Sequence, residues 1–223
     1  MRPAGTIRRL TAGRAPGAGA VRAVALATGA VAPRAVRSPA EVALLGDLMR
    51  GRRRVVQIGV GEGATAGVLC DVLEPGTELH LVDGYGRSPN ARAGTRRGAS
   101  EWAARRVVAR AVRRSPGPVV AWHPSFSASV TEGWTLPVDI VLIDGDHSEI
   151  GVTTDWELWH PFVVEGGSVL FADARASQAG GRGLAAPTAA VDRLFRGPRT
   201  LPDWQIAAEV DGIVAVLHAA RAA

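Results

Sequence analysis

Short apolar runs alternate with stretches of helical spacing along most of this chain. Mostly apolar runs predict β-strands over 55–58, 78–83, 118–122, 139–144 and 168–173. Between and after them, apolar residues three or four positions apart predict helices over 64–73, 101–114, 153–164 and 187–196. The run at 139–144 is apolar without alternation, which is typical of a strand covered by helices on both faces.

The order of these elements predicts the fold class. Alternating strands and helices imply parallel strands with right-handed crossovers. The chain then closes with two strand-like runs, 204–210 and 213–218, around Asp211-Gly212, a typical hairpin turn. We therefore expect an α/β fold: a Rossmann-like, doubly wound, mostly parallel seven-stranded sheet with a C-terminal antiparallel hairpin.

Charge and capping signals divide the chain near residue 38. Ser38-Pro39-Ala40-Glu41 is typical of a helix start, and apolar residues at helical spacing follow it. Residues 1–37 contain seven Arg and no acidic residue, which leaves 19 basic and 21 acidic residues over 38–223. We expect a poorly ordered basic arm over 1–37 and one folded domain over 38–223. A signal peptide at 15–32 is the alternative, but Arg22 interrupts its apolar run.

The composition of the chain excludes several kinds of partner and catalytic group. The excess of positive charge lies in the arm and not in the body, so we do not expect nucleic acid as a partner. All 26 basic residues are Arg, which excludes a Lys nucleophile, and the single Cys70 excludes an intrachain disulfide. No later segment is apolar for long enough to span a membrane. A cytoplasmic protein is expected, and a homo-oligomer is left open.

Polar residues follow the apolar strands at the edge where α/β folds bind ligands. Gly59-Val60-Gly61-Glu62-Gly63 follows the first strand, and Asp83 ends the next one, 22 residues after Gly61. Glycines allow a tight turn and close approach of a ligand, and a carboxylate at the end of the second strand can accept both hydroxyls of a ribose. This arrangement predicts a site for a nucleoside cofactor.

The glycine spacing favours S-adenosylmethionine (SAM) over NAD. A dinucleotide site prefers G-x-G-x-x-G, whereas this turn is G-x-G-x-G and includes Glu62. A carboxylate is poorly placed beside a pyrophosphate but is tolerable beside the cationic sulfonium and amino group of SAM.

Two segments carry a resemblance to a known family. VVQIGVGEGAT with LHLVDGYG is similar to the cofactor motifs of class I SAM-dependent methyltransferases. DIVLIDGDHSEIGVTTDWELWHPFVVEGGSVLFADA resembles a subgroup of small-molecule O-methyltransferases with an I-D-G-D-H motif. The sequence departs from the pattern at Gln57, where an acid is usual, and at Glu149-Ile150, where Tyr-Glu is usual.

The resemblance implies a set of site residues. The implied cofactor site comprises Gln57, Gly59, Gly61, Gly63, Asp83, Ser125, Phe126 and Asp144. His147 or Asp146 is the candidate base that deprotonates a hydroxyl acceptor. Related enzymes bind a divalent ion at positions matching Asp144 and Asp173, so Mg²⁺ is an open alternative, although Ala174 stands where a further ligand is common.

The expected activity is transfer of a methyl group from SAM to a hydroxyl of a small molecule, of sugar or secondary-metabolite type. The sequence is also compatible with two other functions. One is a SAM-fold protein that has lost catalysis and serves as a binding or scaffold subunit. The other is an NAD-type oxidoreductase, which the glycine spacing and the absence of Lys disfavour.

Overall fold

The computed structural model describes residues 18–34, 37–85, 100–115, 117–175, 183–198 and 201–219. Its strands are β1 (Arg54–Ile58), β2 (Glu78–Val82), β3 (Val119–His123), β4 (Val138–Ile143), β5 (Val163–Phe171), β6 (Trp204–Val210) and β7 (Ile213–His218). Its helices are α1 (Ala18–Thr28), α2 (Pro39–Met49), α3 (Ala64–Val72), α4 (Glu101–Arg114), α5 (Ser127–Thr131), α6 (Glu149–Trp159) and α7 (Ala185–Val191).

The seven strands form one sheet in the order β3-β2-β1-β4-β5-β7-β6. The first five pair in parallel, and β7 inserts antiparallel between β5 and β6. The chain runs outward from β1 to β3 and then returns to place β4 on the other side of β1. The predicted fold class is confirmed, and the switch point, where such sheets bind ligands, lies between β1 and β4.

Successive residues of each central strand enter opposite halves of the core. Ile140 and Leu142 pack beneath α2, α3 and α4, whereas Val141 and Ile143 pack beneath α6 and α7. Covering both faces is what makes β4 continuously apolar. Trp156 and Trp159 of α6 are buried in the second half, and they fix that helix against the sheet beside the carboxyl end of β4.

Helix α2 starts at the predicted cap. The Ser38 hydroxyl accepts a hydrogen bond from the Glu41 amide (3.1 Å), and the Glu41 carboxylate accepts one from the Ser38 amide (2.9 Å). The Gly212 amide also donates to Glu41 (3.1 Å), and the Ser38 hydroxyl donates to Asp211. The start of α2 is therefore bound to the turn between β6 and β7.

The helix predicted over 153–164 was wrong at both ends. Helix α6 begins four residues earlier, because Ser148 caps it by accepting from the Gly151 amide (3.0 Å). It ends at Trp159, and Pro161, which has no amide hydrogen to donate, lies in a 3₁₀ turn over His160–Phe162. The predicted strand 168–173 likewise begins earlier, at Val163. The short helix α5 was not predicted.

Part of the predicted arm is helical and packs on the domain. Leu26 of α1 is buried, and the Arg110 guanidinium of α4 donates to the Leu26 and Ala27 carbonyls (2.6 Å each). A cation at these last carbonyls satisfies acceptors that a helix leaves unpaired. Residues 1–17 lie outside the described residues, and a boundary at residue 38 stays a prediction. Among the described helices, none combines the length and the apolar character needed to cross a membrane.

Asp155 is a buried carboxylate behind the turn that follows β4. Its Oδ2 lies 3.7 Å from where a Cβ on Gly145 would be, and Ser127 is its hydrogen-bond partner. Ser127 also accepts a hydrogen bond from the Trp159 indole (2.7 Å). Burial, partly offset by Ser127, raises the pKa of Asp155 to about 6.

We expect Arg110→Gln to release α1 without unfolding the domain. The variant loses two hydrogen bonds from a charged donor, each of which contributes about 1.5–3 kcal/mol. Amide hydrogen exchange over residues 18–28 should become at least about tenfold faster. Arg113→Gln, an exposed change on the same helix, is the control. Equal amide exchange rates over α1 in the two variants would contradict the docking of α1 through Arg110.

We expect Asp155→Asn to stabilise the protein above pH 6. The pKa of Asp155 is about 6 in the folded protein and about 3.9 in an unfolded chain. Between about pH 3.9 and about pH 6 the folded protein therefore binds more protons than the unfolded chain, and the stability of the wild type falls as pH rises. Urea unfolding should show the variant gaining up to about 3 kcal/mol relative to wild type between pH 4 and pH 7. Glu157→Gln, exposed on α6, should show no such trend. A variant equally or less stable at pH 8 would contradict this expectation.

Candidate functional site

Three glycines shape the turn after β1, and each has a positive φ. At Gly59 (φ +83°), a Cβ would lie only 2.2 Å from the Asp144 carbonyl oxygen, so the turns after β1 and β4 contact each other through backbone. Gly61 (φ +56°) is exposed at the tip of the turn. Gly63 (φ +86°) precedes α3, which no side chain of the described residues caps. The predicted glycine turn is thus a tight bend that leads directly into a helix.

Asp83 is bound to this turn. Its Oδ2 accepts hydrogen bonds from the amides of Val60 (2.9 Å) and Gly61 (2.8 Å), and its Oδ1 accepts one from the Tyr85 amide (2.7 Å). A carboxylate offers about four acceptor sites, two on each oxygen, so the half-buried group retains a site on Oδ1. The structure therefore brings the predicted ribose-binding carboxylate and the glycine turn together.

Gln57 carries an unsatisfied buried acceptor beside the turn. The side chain is fully buried, and its Nε2 donates to the Gly59 carbonyl (2.8 Å). Its Oε1 has no hydrogen-bond partner among the residues that the structure describes. Because an unpaired buried acceptor costs free energy, this oxygen suits a ligand that brings a donor, such as an ammonium group.

Phe126 supplies an apolar surface on the other side of Asp83. Its ring is 42% exposed and packs against Gly84, where an added Cβ would lie 2.7 Å from the ring. Ser125, whose amide donates to the His123 carbonyl (2.8 Å), directly precedes it. Ser125 and Phe126 thus follow β3 next to the end of β2, which suits contact with the base of a nucleoside.

Glu62, within the glycine turn, is paired with the N-terminal segment. Arg22 of α1 donates to both of its carboxylate oxygens (2.6 Å each), and the Arg34 amide donates to one of them (2.7 Å). Its charge is therefore neutralised by the N-terminal segment. Because Arg22 and the Arg34 amide already bind this carboxylate, the preference for SAM depends on the other residues.

The second half of the site is a cluster of Asp144, His147 and Asp173. His147 Nε2 lies 3.6 Å from Asp144 Oδ1 and 3.5 Å from Asp173 Oδ2. Asp144 follows β4, and Asp173 follows β5 with a positive φ of 52°, a conformation that is uncommon for residues other than glycine. An imidazole placed between two carboxylates can accept a proton and share the resulting positive charge with both.

The two carboxylates of this cluster differ in pKa. Burial alone would raise the pKa of Asp144, but its hydrogen bonds and charge interactions with His147 and Arg37 hold it below the ordinary value. Burial, together with the charge of Asp144, raises the pKa of Asp173. Asp144 is therefore the more firmly ionised of the pair.

Asp146 lies outside this cluster in its contacts. The side chain is exposed, its Oδ1 accepts a hydrogen bond from the Ser148 amide (2.9 Å), and its carboxylate covers Gly151 at the start of α6. These contacts explain Asp146 as a residue that shapes the entry to α6. Of the two candidate bases, only His147 joins Asp144 and Asp173.

Arg37 is a site residue that the sequence did not indicate. Its guanidinium donates to the Asp144 carboxylate and, through Nε, to the Thr65 hydroxyl (3.2 Å). Thr65 also donates to Asp144 Oδ2 (3.2 Å). Arg37 was one of seven arginines in a segment without acids, and no local pattern distinguished it.

The predicted ligands for Mg²⁺ lie together, but the donor set does not suit that ion. One ligand atom each from Asp144, His147 and Asp173 lies within 4.8 Å of the other two. Mg²⁺ prefers hard oxygen donors, whereas one of these three is an imidazole nitrogen, and the Arg37 guanidinium is bound to Asp144. Ala174, the neighbouring candidate position, is buried and apolar. These residues, as they stand, therefore do not fit Mg²⁺.

Two segments that follow strands of the sheet lie outside the described residues, namely 86–99, between β2 and α4, and 176–182, between β5 and α7. The described site is thus the cofactor side together with the candidate base.

Solved structures with the same fold include several methyltransferases. The O-methyltransferase TomG from Streptomyces achromogenes, in complex with SAM, is 15% identical, with 91% of this chain and 90% of that one covered and a TM-score of 0.60. An O-methyltransferase from Bacillus cereus with SAH, the demethylated product of SAM, is 15% identical (89% and 90% covered, TM-score 0.55). An rRNA methylase from Streptococcus thermophilus is 8% identical (83% and 99% covered, TM-score 0.52). At these identities the likeness establishes the fold alone.

Among curated proteins, none matches the chain significantly. The family profile described as a methyltransferase domain, however, matches residues 56–174, which is more than half of the chain. This range begins in β1 and ends just after β5, so it contains the glycine turn, Asp83, Asp144, His147 and Asp173. The chain therefore belongs to the methyltransferase-domain family.

Proposed function

We propose that the protein transfers the methyl group of SAM to a hydroxyl of a small molecule, with His147 as the general base. The observation that carries this proposal is the position of His147 Nε2 between the carboxylates of Asp144 and Asp173. The main chain of Asp144 contacts the glycine turn at Gly59, so the base and the proposed cofactor site share one residue. O-methylation is the methyl transfer that needs such a base, because a hydroxyl must lose its proton to become a good nucleophile.

The cofactor side supports SAM through four separate features. The glycine turn allows close approach of the ligand, and Asp83 Oδ1 retains an acceptor site for a ribose hydroxyl. The Phe126 ring offers an apolar surface for adenine, and the unpaired Gln57 Oε1 suits the ammonium of the methionine moiety. TomG and the Bacillus cereus enzyme, which share this fold, are O-methyltransferases with SAM or SAH bound.

The proposed reaction is an in-line displacement at the methyl carbon. The acceptor oxygen attacks, the bond from carbon to sulfur breaks, and SAM leaves as neutral SAH. His147 takes the hydroxyl proton, and Asp144 and Asp173 stabilise the imidazolium that forms. The protein otherwise contributes by aligning the oxygen, the methyl group and the sulfur.

The first experiment is calorimetry with SAM, SAH and NAD. Binding of SAM and SAH, without binding of NAD, would support the proposal and exclude the oxidoreductase reading. Turnover against a panel of sugar and phenol-type acceptors would then separate an enzyme from a scaffold protein. Binding of SAM without turnover on any acceptor, and without slow hydrolysis of SAM, would favour the scaffold.

We expect Asp83→Asn to weaken SAH binding by about 10- to 100-fold. The amide retains the shape of the side chain and can still accept from the glycine turn, but it loses the charge that strengthens hydrogen bonds to the ribose, about 1.5–3 kcal/mol. Asp47→Asn, an exposed change on α2, should leave the calorimetric affinity unchanged. Equal affinity in the two variants would exclude Asp83 from the cofactor site.

We expect His147→Asn to lower kcat by about 10²- to 10⁴-fold, which is the usual contribution of a general base. SAH affinity should stay within a few-fold, because the proposed base acts on the acceptor hydroxyl and not on the cofactor. The acidic limb of the pH–rate profile should also flatten, since the titrating base is gone.

Asp146→Asn is the matched comparison for this experiment. An amide oxygen can still accept from the Ser148 amide, so kcat should change only a few-fold. A larger loss in Asp146→Asn than in His147→Asn would reverse the assignment of the base.

A further inference from the structure

Arg37 lies inside a ring of acidic residues contributed by three different elements. Only 6% of its side chain is exposed. Its Nη2 is hydrogen-bonded to the Asp144 carboxylate, its Nη1 lies 3.9 Å from Glu41 Oε1, and its Nε donates to the Thr65 hydroxyl. Each nitrogen of the guanidinium thus faces a different partner, which fixes the cation in one place.

The charge of Arg37 balances these acidic residues. Asp144 and Glu41 lie against the guanidinium, and the charge of Asp173 also acts on it. Carboxylates this close to one another, removed from water, require a counter-charge to stay ionised. Arg is suited to this task because it stays protonated under all ordinary conditions.

The position of Arg37 conflicts with a divalent ion at the same carboxylates. Asp144 Oδ2 already accepts from Arg37 and Thr65, while Oδ1 faces His147. An ion bound between Asp144 and Asp173 would therefore lie close to a fixed positive charge. It would have to displace the guanidinium or bind against its repulsion.

We propose that Arg37 is the resident cation of the site and replaces the divalent ion, so that the cluster of Asp144, His147 and Asp173 binds metal only when this charge is removed. The placement of this cluster beside the methyl acceptor rests on the proposed function, but the metal-binding behaviour of the cluster does not. Arg37 acts as a positioning residue: it holds Asp144 and balances its charge without contacting the proposed substrate.

The test measures Mn²⁺ binding by electron paramagnetic resonance in wild type, Arg37→Lys and Arg37→Met. Lys and Met have similar length, but only Lys keeps the positive charge. Wild type and Arg37→Lys should bind Mn²⁺ weakly, and Arg37→Met should bind one ion at least about tenfold more tightly. Adding Asp173→Asn to Arg37→Met should abolish the gain, which would assign the ion to this cluster.

Two results would overturn the proposal. One is tight binding of a single Mn²⁺ by wild type that Asp173→Asn abolishes. The other is no gain of affinity in an Arg37→Met variant that melts cooperatively. If Arg37→Met does not fold, the comparison of wild type with Asp173→Asn decides, and equal weak binding by both supports the proposal.

The Mn²⁺ measurement tests the role of Arg37 independently of the proposed methyl transfer. Mn²⁺ binding requires neither SAM nor an acceptor, so a protein that fails to bind SAM would overturn the proposed function and leave the metal result intact. Conversely, a metal-binding wild type that also binds SAM would overturn only the role of Arg37.

Discussion

The contact between the turns after β1 and β4 is the constraint on which the site depends. Gly59 lies so close to the Asp144 main chain that any Cβ would overlap its carbonyl oxygen, at 2.2 Å. This contact is a consequence of the sheet order, because β1 and β4 are neighbours at the switch point. It places the glycine turn, with Asp83 bound to it, directly beside the carboxylate cluster. Any larger residue at position 59 would force these two turns apart.

The cluster also shows how the N-terminal segment becomes part of the site. Buried carboxylates are costly unless paired, and removal of one partner of a buried pair typically costs about 3–5 kcal/mol. Arg37 supplies the pairing charge for Asp144, and the Ser38 cap that follows it holds α2 and the turn at Gly212 together. In the glycine turn, Arg22 likewise supplies the positive charge that pairs with Glu62. Residues before α2 therefore stabilise the site through charge, although the sequence there shows no apolar pattern of a domain core.

The sequence predicts the features that depend on local pattern. The strands that end in Asp83 and Asp144 are apolar runs closed by an acid, and the fold class follows from their order. The predicted limits of α6 are wrong because apolar spacing alone shows neither the Ser148 cap at its start nor the turn at Pro161 that follows its end. Arg37 could not be found, since its role depends on a contact with a residue 107 positions away. No local sequence pattern distinguishes an Arg that makes such a contact from an Arg that is exposed to solvent.

Asp146 and His147 illustrate how neighbours in one motif acquire different roles. Both follow β4 within the same polar tetrapeptide, and from the sequence alone either could be the base. The start of α6 separates their contacts, because Asp146 accepts from the Ser148 amide and is held at the exposed entry to that helix. His147 instead lies beside Asp144 and Asp173, the latter with a left-handed backbone. The geometry at the start of a helix thus determines which of two adjacent residues contacts the carboxylate cluster, and that difference is a property of the packed structure and not of the motif.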